Sequence, residues 1–140
     1  MGKINWGRVV VGGVVWWVVF GVLSNAAWFL ILRREWMPVF QGLNRPFQET
    51  LQWAVFWYVL TLVYGILAIW LYAAIRPRYG PGPKTAACAG LALWLSITLL
   101  STLPASWQLQ LPAGVVTLEV VARLVDIVVA TVAGAWAYKE

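Results

Sequence analysis

The chain has no histidine, a single cysteine and five acidic residues in 140. Without histidine it lacks the commonest metal ligand and the usual general base at neutral pH. With Cys88 alone, no intramolecular disulfide and no cysteine-based metal cluster can form. Haem or chlorophyll loses its ordinary ligands as well. Charge is scarce too, at 11% of residues against roughly 25% in a soluble domain. No polar block is long enough to form a separate soluble domain. There is no Ser-His-Asp set, and the glycines of Gly80-Pro81-Gly82-Pro83 alternate with prolines, which lack the free N–H groups that a phosphate-cradling loop needs. These absences point away from an enzyme and from any metal or cofactor bound by this chain.

What is abundant is apolar: 62% of the chain is hydrophobic and eleven residues are tryptophan. Apolar segments of spanning length run over about 9 to 32, 51 to 75, 85 to 104 and 113 to 138. The expected fold is an all-α membrane protein, a single-domain bundle of four transmembrane helices with short loops. The first segment also has features of a signal peptide, with Lys3 and Arg8 ahead of it and Ser24-Asn25-Ala26 resembling a cleavage site. However, the apolar run continues through Leu32 to Arg33-Arg34, which reads as a span with a charged stop.

Of the basic residues, Lys3, Arg8, Arg76, Arg78, Lys84 and Lys139 fall at one end of such a bundle, and Arg33, Arg34 and Arg45 at the other. The excess places both termini in the cytoplasm. Basic residues that flank apolar segments account for the net charge of +5, so nucleic acid is not an expected partner. The turn from Arg76 to Lys84 combines prolines and glycines in a basic hairpin. Arg76, Arg78 and Lys84 there are candidate contacts for anionic headgroups or a partner's acidic patch, although the positive-inside bias alone explains them. The link from Glu35 to Thr50, interrupted by Pro38 and Pro46 and carrying Trp36, Phe40 and Phe47, reads as a short amphipathic segment lying flat at the outer interface. The uncharged link from Ala105 to Pro112 reads the same way.

The segment with most chemical content is the last. At 100° per residue Glu119, Arg123 and Asp126 fall on one face, at about 0°, 40° and −20°. Ala130, Ala133, Gly134 and Ala137 continue that face, and small residues permit close helix contact. An ionisable group at the bilayer centre costs roughly 2.5 to 3.5 kcal/mol, so this stripe must face protein. One reading is structural, with Arg123 paired to Glu119 and Asp126 in its own helix. The other is functional: two carboxylates against one guanidinium leave one excess negative charge, which a bound proton would remove.

Gly13, Gly21, Ser24 and Asn25 in the first segment read as a packing face. Ser24 or Asn25 is placed there to donate to a carboxylate of the last segment. Trp6, Trp28, Trp36, Trp53, Trp107 and Trp136 suit an interfacial belt. Trp16, Trp17, Trp57, Trp70 and Trp94 lie deeper, where each N–H needs a partner and the rings offer a surface for lipid, quinone or pigment.

Ile4-Asn5-Trp6-Gly7-Arg8, the block from Trp70 to Thr85 and Ala133-Gly134-Ala135-Trp136-Ala137-Tyr138 are similar to a family of small four-span bacterial integral membrane proteins with no assigned activity. The resemblance implies a multi-pass protein of the bacterial inner membrane. Four short helices enclose little, so the expected role is a non-catalytic accessory or structural subunit that packs in the lipid bilayer against itself, as a homo-oligomer, or against a larger membrane complex. The alternative is a small oligomeric transporter or proton-coupled channel that uses the carboxylates of span four.

Overall fold

The computed structural model describes residues 4–44 and 50–138. Lys3, Arg45, Pro46, Phe47 and Lys139, which the sequence reading uses, lie outside them. Among the described residues the chain is four helices with no strand: α1 Trp6–Gly42, α2 Leu51–Tyr79, α3 Pro83–Gln108 and α4 Ala113–Ala137. Three of these, α1, α2 and α3, are long and apolar enough to cross a membrane. That is one fewer than the sequence reading expects. The fourth is 25 residues long and differs in bearing Glu119, Arg123 and Asp126.

The helix starts have local causes. Asn5 Oδ1 accepts from the Arg8 N–H and Thr50 Oγ1 from the Trp53 N–H, so α1 and α2 each open on a polar cap. Between α2 and α3 only Gly80, Pro81 and Gly82 are non-helical. Gly80 (φ 81°) and Gly82 (φ 142°) take conformations that a side chain would oppose, and Pro83 begins α3 with a preset φ. Thr85 Oγ1 closes the turn by donating to the Gly80 carbonyl at 2.8 Å, and the Gly82 N–H donates to the Tyr72 hydroxyl at 3.3 Å.

Two expectations fail at helix ends. The stretch from Glu35 to Gly42 is not a separate flat segment; it continues α1 beyond Arg33-Arg34, with Pro38 inside the helix. Likewise α3 runs through Pro104 to Gln108. Each proline deletes one i→i−4 bond, but both stand at exposed positions near a helix end, where the freed carbonyl need not be buried. Each of these helices also contains one wide π turn, at Trp28–Leu32 in α1 and Leu95–Leu99 in α3.

α1 sits centrally, packed mainly on α4 and α2, while α3 packs mainly on α4. The end of the bundle bearing the Gly80–Gly82 turn is close-packed. A Cβ on Gly12 would lie 2.8 Å from the Gly134 carbonyl oxygen, and one on Gly65 would lie 2.6 Å from that of Gly13. At those points helix backbones touch, as small residues allow. Trp16, Ile69, Ala89 and Ala130 fill the core beside them. Toward the other end α2 departs, and its first turns, from Leu51 to Val59, are largely exposed.

Candidate functional site

Facing α4, α1 presents a row at four-residue intervals: Gly12, Trp16, Phe20 and Ser24, all buried. Such a row is one ridge of an α-helix. Gly12 meets Gly134. The Trp16 indole donates to Thr131 Oγ1 at 3.0 Å and stacks on Phe20 with centroids 4.7 Å apart. The Phe20 ring lies beneath the Arg123 guanidinium, with Cζ 5.8 Å from its centroid, and Ser24 Oγ accepts from Arg123 Nη1.

Above Ser24 an unbroken α-helix would carry Trp36 about 120° around the axis; one extra residue absorbed in the wide turn brings it back to about 20°. Leu32 is therefore fully buried, and the Trp36 indole donates to Glu119 Oε2 at 3.2 Å. The π turn thus keeps the whole length of α1 in register with α4. Placed in an interfacial loop by sequence, Trp36 has no such partner; the apolar i, i+4 row below it is the available signal.

Arg123 is the hub of the charged stripe. Nε donates to Glu119 Oε1 at 2.9 Å, and Nη1 donates to Asp126 Oδ2 at 3.3 Å as well as to Ser24. The side chains of Glu119, Arg123 and Asp126 are 18%, 14% and 6% exposed, so the trio is largely shielded even though it is charged. Every contact named here lies within the chain: two carboxylates, a hydroxyl and an aromatic face surround one guanidinium.

The other residues singled out from sequence are placed as follows. Ser24 is at the cluster, but as an acceptor from Arg123 rather than a donor to a carboxylate. Asn25 returns to its own helix, donating to the Gly21 carbonyl at 2.7 Å. Gly13 faces α2, where an added Cβ would lie 2.8 Å from Ile66 Cα, and Gly21 has open space where its Cβ would be. The row read from sequence is therefore rotated one residue from the row that meets α4. α1 touches two neighbours, and adjacent glycines 100° apart serve one each. Arg76 lies over the Tyr138 ring at 5.8 Å and Arg78 over Tyr79 at 5.9 Å, while Lys84 is exposed. Of the deep tryptophans, Trp17 donates to the Tyr58 carbonyl at 2.9 Å and Trp94 to that of Val120 at 3.0 Å.

Two cavities meet Arg123. An inner one of about 240 Å³ lies among the helices, with Glu119, Thr61, Thr98, Ser101 and Thr102 on its wall. An outer cleft of about 500 Å³ lies where α1 and α2 diverge. Its wall carries five rings, Trp28, Phe29, Trp53, Trp57 and Tyr58, and Ser24, Asn25 and Arg123 supply polar atoms. Trp17, edge-on to Tyr58 with centroids 6.2 Å apart, ties the helices together where the cleft begins. No protein-family model, curated protein or solved structure matches the chain.

Proposed function

We propose that the chain is a four-span protein of the bacterial inner membrane with both termini cytoplasmic, acting as a non-catalytic accessory or structural subunit. The observation that carries this reading is the closure of the charged stripe on itself. Arg123 binds both carboxylates of α4 and Ser24 of α1, and Trp36 takes the outer oxygen of Glu119. An ion pair so arranged lets α4 lie in lipid with its charges turned inward, as intramembrane charges require. It works as a tie between helices.

The sides of the bundle agree with a bilayer. Leu30 is 81% exposed, and Val18, Val22, Val59 and Val121 are uncovered as well, an apolar surface that belongs against lipid or another subunit. α1, at 37 residues, extends about 55 Å, well past the roughly 30 Å hydrocarbon core. The stretch after Arg33-Arg34 then stands beyond the core on the outer side, consistent with the orientation drawn from the basic residues.

The transport reading draws on the inner cavity, where Glu119 and Arg123 meet a set of hydroxyls. One preparation tests both. Purified from membranes in mild detergent, the chain should bring stoichiometric partner subunits, and after reconstitution it should leave a proton gradient intact. A homodimer without partners that dissipates the gradient would sink the accessory reading.

A further inference from the structure

We propose that the outer cleft is a binding site for a lipophilic quinone, with the quinone ring among Trp28, Trp53 and Trp57 and one carbonyl oxygen accepting from Arg123. The proposal rests on the membrane reading above, since a quinone reaches the cleft from lipid.

Size and lining come first. About 500 Å³ lies within the roughly 300–1,000 Å³ of small-molecule sites, and an apolar wall with a few converging polar groups is their usual character. This wall is aromatic rather than aliphatic. Trp53 and Trp57 lie nearly parallel, their planes 24° apart and centroids 6.3 Å apart, and flat rings favour a flat ligand over a flexible acyl chain.

The polar end narrows the ligand further. Arg123 spends Nε on Glu119 and Nη1 on Ser24 and Asp126, whereas Nη2 has no hydrogen-bond partner among the described residues. A guanidinium nitrogen carries two N–H donors and accepts nothing, so a ligand that meets it must bring an acceptor oxygen. That oxygen should be uncharged. Glu119 and Asp126 already neutralise Arg123, so it draws a phosphate or fatty-acid carboxylate less than an unpaired guanidinium would, while a neutral acceptor avoids the cost of desolvating a further charge. A quinone carbonyl meets both conditions, and its prenyl tail leaves toward lipid past Phe29 and Leu51, both exposed at the lip of the cleft.

The test uses the full chain in phosphatidylcholine nanodiscs, titrated with tritiated decylubiquinone and challenged with excess unlabelled ligand. Saturable, competed binding at about one molecule per chain is expected. Ala54→Trp, which fills the cleft from the α2 side, should weaken binding at least tenfold at unchanged thermal midpoint. Trp57→Leu should weaken it less. Binding to wild type that is not competed overturns the proposal, as does affinity undiminished in both variants, or a stoichiometric phospholipid, rather than a quinone, extracted from the purified protein. Alkaline carbonate extraction separates the two failures: a chain that stays in the membrane yet binds no quinone defeats only the cleft assignment, whereas a chain released into the supernatant defeats the membrane reading too.

Discussion

The two ends of the bundle are built from similar residues to opposite effect. At the turn end, glycines let backbones touch: Gly12 against Gly134, and Gly13 against Gly65. At the open end Gly21 faces empty space, and the space between α1 and α2 is lined by tryptophans that are too few to fill it. A glycine in a helix marks close packing only where the neighbouring backbone itself approaches, whether at another glycine or, as for Gly13, at Ile66. Gly21 has no such counterpart, since Trp57 and Tyr58 occupy the adjoining stretch of α2. Arg123 stands at the border between these halves and closes the packed one.

That border is where the contrast breaks most readily. Arg123→Met leaves Glu119 and Asp126 shielded without their counter-charge, and removing one member of a buried pair costs about 3–5 kcal/mol. The thermal midpoint in detergent should fall sharply, and adding Glu119→Gln and Asp126→Asn should recover much of it. An unchanged midpoint in the single variant would mean that the cluster is hydrated and ties nothing.

Paired glycine substitutions sharpen the contrast next. Gly65→Val puts new atoms against the Gly13 carbonyl oxygen, where even a Cβ would sit 2.6 Å away, and overpacking of this sort costs about 1–3 kcal/mol. Gly21→Val enters open space and should be close to neutral by the same melting assay. Equal losses at the two sites would erase the distinction. The smallest effect belongs to the outer tie: Trp36→Phe keeps the ring but drops one hydrogen bond to a carboxylate, worth about 1.5 kcal/mol. Faster proteolysis of the stretch after Arg33, with the remaining helices still protected, is the expected readout.

Apolar runs reveal helices because lipid-compatible helices need little else, and all four were legible in that way. Three of them show the length and apolarity of a membrane span in the structure. The charged stripe was legible because i, i+3 and i+4 spacing alone places its members together. Less could be read where a choice between neighbours decides the outcome. Gly12 and Gly13 are equally bare in sequence, and only the position of α1 between α2 and α4 assigns each its partner. Pro38 ordinarily argues for a helix end, yet α1 passes through it at an exposed position. The contact of Trp36 with Glu119 joins residues far apart in the chain through a turn whose width leaves no mark in residue type.

The wide turn at Trp28–Leu32 acts as a vernier on α1. Its single surplus residue sets the angular phase of everything downstream: winding the turn as α geometry with every residue kept would swing Trp36 about 100° off Glu119, whereas deleting one residue there would let a regular helix hold the same phase. In this chain the outer tie to α4 depends on how the turn is wound rather than on how many residues it holds.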